Sequence, residues 1–141
     1  MRYRVFLDTN VFIYAFEFSE SNSNKIICLL NEGLIEVIIS ERVLKEVQAY
    51  FKKFYDKDLA ASFRNYLLRT CAVVLPDDVK SEISKYRKLI KDKDLEQLAV
   101  VKKLGIKYLV AYDRDFENFQ EYITPKAFIK EIGIKPSSND Y

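Results

Sequence analysis

Carboxylates are the side chains in this sequence whose types and spacing can support chemistry, and four of them, Asp8, Glu46, Asp94 and Asp113, stand where they could converge. Histidine is absent, which removes the usual general base, the imidazole metal ligand and every nucleophilic triad that depends on one. Only three glycines occur, with no GxxxxGK[ST] or GxGxxG run, so a glycine-rich phosphate cradle is unsupported. Converging acids ~5 Å apart repel by ~3 kcal/mol per pair at an effective dielectric of ~20, so a cation must compensate them. With oxygen donors alone the fitting ion is hard, Mg2+ or Mn2+, because neither imidazole nor paired thiolates are on offer. Such ions polarise a phosphodiester, lower the pKa of bound water and stabilise the leaving oxygen. Phosphodiester hydrolysis is therefore the natural reaction for this set.

The elements that must position these acids can be read from the pattern. Residues 4–7 form a short apolar strand ending at Asp8, and residues 11–16 a helical segment after Thr9 and Asn10. Residues 23–30 have helical spacing and stop near Gly33, where a left-handed terminating residue fits; residues 34–39 are a β-branched strand. Ser40 can cap a long helix to about residue 55, and residues 58–70 make a second helix, giving a helical hairpin. A third strand covers 72–75, and Pro76-Asp77-Asp78 opens a helix to about residue 90. Residues 94–103 are helical and end at Gly105, a strand at 108–111 leads into Asp113, and Thr124-Pro125 starts a last helix that Gly133 stops. Strands alternating with helices imply a parallel sheet covered on both faces, an α/β fold of the three-layer α/β/α sandwich type.

In such sheets ligands collect at the carboxyl ends of the strands, which is where Asp8 and Asp113 fall. Helices between strands bring their first turns to the same edge, and with them Asp94. At about 100° per residue Asp94 shares a line with Leu98 and Val101, so it faces the apolar side. Glu46 lies at the edge of the stripe formed by Val43, Leu44, Val47, Tyr50, Phe51 and Phe54. Each acid also has a plain structural reading: Asp8 and Asp113 as turn formers, Asp94 as a first-turn complement to the helix dipole, Glu46 as a solvated helix residue. Taken jointly, four acids arriving at one edge favour a site.

The bulk properties bound the rest. At 141 residues and 49% hydrophobic, the chain fits a single domain over residues 1–134 with a flexible tail at 135–141. A formal charge of +2, from 23 basic and 21 acidic residues, excludes a simple polybasic nucleic-acid binder. Cys28 and Cys71 read as reduced thiols packed in the core of a cytoplasmic protein. No apolar run approaches the ~18 residues of a membrane span.

With these residues in view, the sequence resembles the PIN-domain family (PilT N-terminus), which includes VapC-like ribonucleases. Leu7-Asp8-Thr9-Asn10-Val11 after an opening strand resembles its first motif, the segment from Ser40 to Val47 with Glu46 its second, and that from Asp94 to Gly105 its third. Tyr108 to Phe116, with Asp113, Arg114 and Asp115, resembles the fourth, and Thr124-Pro125-Lys126-Ala127-Phe128 the usual ending. The resemblance implies an endoribonuclease that binds Mg2+ or Mn2+ through Asp8, Glu46, Asp94 and Asp113, with Asp115 as a supporting fifth acid. Asp92 stands two residues before Asp94; the distance to Gly105 favours Asp94 as the third-motif acid. Candidate substrate-binding residues are Thr9, Asn10, Ser40 and Arg114. Members of the toxin type are neutralised by a small antitoxin protein, which makes such a protein, with RNA, an expected partner.

Two surface features carry further expectations. Lys85, Arg87, Lys88, Lys91 and Lys93, interleaved with Tyr86, could track an RNA backbone or simply form a solvated face. Tyr50, Phe51, Phe54, Tyr55, Phe63 and Tyr66 on the helical hairpin could seat a homodimer or fill the core. Two other functions compete with metal-dependent RNA cleavage. One is a catalytically weak or inactive PIN-like module that binds RNA or protein, in line with Ala111 where many members carry Thr or Ser. The other is a phosphoryl-transfer or signalling domain with Asp8 as acceptor, for which a second acid close to Asp8 is wanted and not supplied.

Overall fold

Residues 2–141 are described by a computed structural model. The strands are β1 (Tyr3–Leu7), β2 (Ile35–Ser40), β3 (Cys71–Val74), β4 (Tyr108–Val110) and β5 (Tyr122–Ile123). The helices are α1 (Thr9–Glu17), α2 (Asn22–Asn31), α3 (Glu41–Phe54), α4 (Lys57–Thr70), α5 (Lys80–Tyr86), α6 (Asp92–Leu104) and α7 (Pro125–Glu131). Single 3-10 turns at Pro76–Val79 and Arg114–Phe116 complete the order.

The strands form one all-parallel sheet in the order β3-β2-β1-β4-β5. Successive strand residues point to opposite faces, yet Val5, Phe6 and Leu7 are all fully buried, as are Leu109 and Val110. Both faces of the sheet are therefore covered, which is the three-layer α/β/α sandwich the alternation predicts. β1 is central, and the chain builds outward from it in one direction through β2 and β3 and in the other through β4 and β5. The winding reverses between β1 and β4. That is the switch point at which open parallel sheets leave a crevice at their carboxyl edge.

Local chemistry sets the boundaries. Ser40 ends β2 and starts α3, its hydroxyl accepting the Val43 N–H at 3.2 Å. Thr124 does the same for α7 through the Ala127 N–H at 3.2 Å, with Pro125 in the first turn. Gly105 closes α6 with φ +62°, a left-handed conformation that glycine adopts at little cost.

Several sequence expectations change. The edge strand β5 is an addition, registered on β4 by Leu109 opposite Tyr122 and Val110 opposite Ile123. The helix after Pro76 stops at Tyr86 instead of residue 90, and α6 starts at Asp92. Cys28 is exposed and Cys71 half-buried, so neither is a fully buried core thiol. The aromatic hairpin divides: Phe51 is fully buried and stacks on Phe63 at 4.0 Å, Tyr50, Phe63 and Tyr66 are half-buried, and Phe54 and Tyr55 stay exposed, with the Tyr50 and Tyr55 hydroxyls both donating to Glu17. The tail expected to be flexible at 135–141 lies against the domain. Tyr141 stacks on Phe18 at 4.7 Å and meets Tyr14 edge-on at 4.8 Å, and its carbonyl accepts the free N–H groups of Asn22 and Ser23 at the start of α2.

Candidate active site

β1 ends one residue before Asp8, whose N–H extends the ladder to the Val110 carbonyl at 3.0 Å. Asp8 takes the capping position of α1 but makes no side-chain capping bond, is only 8% exposed, and its Oδ1 has no hydrogen-bond partner. The turn-former reading predicts a satisfied side chain and does not describe it. Burial raises the Asp8 pKa from 3.8 to about 6, opposed by the Thr9 backbone N–H and the Gln97 side chain, and the charges of Glu46 and Asp94 add to the rise. These three acids are thus electrostatic neighbours across three segments.

Asp94 sits in the first turn of α6 on the face that also buries Gln97, Leu98 and Val101, and is 3% exposed. Its Oδ2 lacks a hydrogen bond, although the Lys93 ammonium lies 3.4 Å away. Burial and the nearby Asp113 charge raise its pKa from 3.8 to about 6, against the lowering effect of Lys93. Asp92 is exposed, so of the two neighbouring acids Asp94 is the one directed inward.

Carboxylate oxygens of Asp94, Asp113 and Asp115 lie within 4.8 Å of one another. Asp113 follows β4; its Oδ1 accepts the Asp115 N–H at 2.9 Å, which starts the Arg114–Phe116 turn and swings Asp115 back to the cluster. Asp115 therefore stands within the same 4.8 Å of Asp94 as Asp113 does. Glu46, on α3, is half-buried, and its Oε1 accepts the Thr9 hydroxyl at 2.7 Å.

The other candidates divide. Thr9 serves Glu46, and Ser40 is fully buried with its hydroxyl used by α3. Asn10 is exposed. Arg114, between two acids in sequence, turns outward with its Nε 3.4 Å from Glu117. Two participants escape the sequence reading. Lys93 Nζ lies 2.7 Å from Asp113, 3.4 Å from Asp94 and 3.4 Å from Asp115, and Lys91 Nζ is 3.3 Å from Asp115. The end of the basic run thus faces carboxylates, and the Asp113 hydrogen bond holds the Lys93 ammonium protonated well above its usual range. Gln97 is the second, 2% exposed, its Nε2 donating to the Lys93 carbonyl at 3.1 Å. Its spacing of three residues from Asp94, on an otherwise apolar helix face, is the signal that could have found it.

The donor set is all oxygen and includes two buried carboxylate atoms without partners, Asp8 Oδ1 and Asp94 Oδ2. That combination fits a hard divalent cation, with Asp94, Asp113 and Asp115 as the residues whose oxygens lie close enough together to hold it and Asp8 and Glu46 as charged neighbours.

The family profile described as "PIN domain" matches residues 4–115, which includes every one of these acids. The chain belongs to the PIN-domain family. Solved structures agree on the fold. A toxin-antitoxin complex from Klebsiella pneumoniae contains a chain 20% identical to this PIN domain, with a TM-score of 0.68 over 86% of this chain and 97% of the other. VapBC-1 from nontypeable Haemophilus influenzae aligns at 16% identity and TM-score 0.67 over 86% of this chain and 98% of that one. VapC20 of Mycobacterium tuberculosis, a Sarcin-Ricin loop cleaving toxin, aligns at 19% identity and TM-score 0.59 over 81% of this chain and 93% of that one. No curated relative matches the sequence. No helix among the described residues of the PIN domain is long and apolar enough to cross a membrane.

Proposed function

We propose that this PIN domain is a metal-dependent endoribonuclease that hydrolyses RNA phosphodiesters, acting as the toxin of a toxin-antitoxin pair. The observation that carries this reading is the pair of buried carboxylate oxygens without a hydrogen bond, Asp8 Oδ1 and Asp94 Oδ2, near the sheet's switch point, the second of them clustered with Asp113 and Asp115. Buried carboxylates without partners are unfavourable unless a cation completes them. Mg2+ or Mn2+ held there would supply an acidified water and a counter-charge for the leaving oxygen. The chain's own residues do the rest. Asp8 and Asp94, on the ends of different elements, fix the ion's position; Asp113 holds Asp115 toward it through the backbone turn; Thr9 orients Glu46 at the rim.

RNA as substrate is supported by the family and by the RNA-cleaving description of VapC20. The toxin-antitoxin complexes among the solved neighbours support a small antitoxin partner. A homodimer is supported by Phe16, Phe54 and Tyr55, which remain 45%, 59% and 45% exposed on and beside the hairpin. An RNA substrate and two unpaired cysteines favour the cytoplasm as its compartment. The inactive PIN-like binding module has one observation in its favour, the Lys93 ammonium that partly neutralises the acids from within the chain.

The deciding experiment is cleavage of mixed single-stranded and structured RNA in Mg2+ or Mn2+ by wild type, Asp8→Asn and Asp94→Asn, with EDTA controls and circular dichroism of each protein. Cleavage by wild type alone, abolished by EDTA, supports the nuclease. Equal behaviour of three folded proteins, with metal still bound, replaces it with the binding module.

A further inference from the structure

We propose that Lys93 is a tethered counter-cation of the acidic cluster, which a divalent ion must displace, so that metal loading and release of Lys93 are a single event. The inference rests on the reading of the cluster as a metal site and concerns its regulation. Lys93 precedes Asp94 in the first turn of α6, yet its ammonium also reaches across to the segment after β4, within 3.4 Å of carboxylate oxygens from Asp94, Asp113 and Asp115. Carboxylate oxygens of the same three residues lie within 4.8 Å of one another.

A Mg2+ ion binds carboxylate oxygen at about 2.0–2.1 Å with near-octahedral demands. An ion bound by these three carboxylates would occupy the space between their oxygens and use the lone pairs that face Lys93 Nζ. The two cations therefore exclude one another by geometry and by like charge. Asp94 Oδ2, buried and without a hydrogen bond, shows that the ammonium satisfies the set incompletely. It has three donors on a single charge, whereas the cluster with Asp8 offers more negative charge than that.

Lys93 can leave without unfolding anything. Its side chain is half exposed, and its stem joins α6 at the open edge, so rotation about its side-chain bonds takes the ammonium to water. Lys91, more exposed and paired with Asp115 alone, does not bridge the set. The arrangement holds the acids together before loading and sets a threshold for the ion that replaces it.

The test is calorimetric titration of Mn2+ into EDTA-stripped and dialysed wild type, Lys93→Met and Lys93→Arg. Lys93→Met is expected to bind Mn2+ on the order of tenfold more tightly, a figure that allows for the lysine's exposure to solvent. It should also melt at a lower temperature than wild type when metal-free and recover with Mn2+. Lys93→Arg, which keeps the charge, should stay within about threefold of wild type. Equal or weaker Mn2+ binding by folded Lys93→Met overturns the proposal while leaving the metal site standing. No Mn2+ binding by wild type or Lys93→Met overturns the metal reading and this one with it. A second measurement needs no substitution: in wild type the Lys93 ammonium resonance should shift toward its free position on addition of Mg2+. An unmoved resonance at saturating Mg2+ overturns the displacement.

Discussion

The hydroxyl of Thr9 donates to Glu46 Oε1 over 2.7 Å, joining the first residue of α1 to a side chain of α3 that lies 37 positions later. The bond holds Glu46 toward the Asp8 side against Arg42, whose Nε stands 3.7 Å from the other carboxylate oxygen. Thr9→Val keeps the shape and removes the donor. Loss of a partner that orients a ligand lowers affinity or rate by about tenfold or more. Mn2+ affinity and RNA cleavage by Thr9→Val should fall by that order with little change in melting temperature, and Thr9→Ser should restore both. An unaltered Thr9→Val would show that Glu46 is held by something else.

Asp8 makes metal-free stability depend on pH in a direction opposite to that of a salt-bridged acid. Its pKa in the fold, about 6, is above the 3.8 of an exposed aspartate because burial disfavours the charge. The folded state therefore binds more protons than the unfolded one between those values, and stability falls as pH rises through them. In EDTA, Asp8→Asn should be more stable than wild type at pH 7.5 by about 1–3 kcal/mol. The gain should shrink to a small fraction by pH 4, where folded Asp8 is already protonated, and vanish below about pH 3, where the unfolded chain is protonated too. Urea titrations at the two pH values measure it, and a constant difference would contradict the cause.

Ser40 is where the sheet hands the chain to the helix carrying Glu46. It is fully buried, and its hydroxyl satisfies the Val43 N–H that α3 cannot satisfy itself. Ser40→Ala should lose about 1 kcal/mol, up to ~2 for a buried cap, while Ser40→Thr, which keeps the hydroxyl, retains most of it. Equilibrium denaturation distinguishes these, and a neutral Ser40→Ala would mean that the amide finds another acceptor.

Gly105 ends α6 with φ +62°, and a Cβ built there meets no atom within 4 Å. Only backbone strain opposes substitution. Gly105→Ala should cost about 1 kcal/mol and Gly105→Asn less, because Asn visits the left-handed region more readily. Thermal melts should rank the three proteins in that order.

The acids were legible in the sequence because each is tied to an element boundary: Asp8 and Asp113 follow apolar strands, and Asp94 keeps step with Leu98 and Val101. Tertiary pairings were not legible. Lys93 reads as the end of a charged run, and nothing local reveals that its ammonium lies 2.7 Å from Asp113, twenty positions away. The two-residue strand Tyr122–Ile123 is too short to show a period, and its pairing with β4 alone makes it a strand. The tail at 135–141 reads as flexible, yet one ring, Tyr141, finds Tyr14 and Phe18, and the open amides of α2 donate to its carbonyl. Contacts of this kind depend on where distant segments meet.

The central place of β1 also orders events in time. β1 pairs with β2 early but waits for its second neighbour until β4, which begins at Tyr108. Asp8 and Glu46 are translated well before Asp94, Asp113 and Asp115. Parallel pairing across so long a separation forms late. A nascent chain is thus without its acidic cluster until Asp115 has been translated and β4 has paired with β1, and on the proposed activity it is harmless before then to the messenger that encodes it.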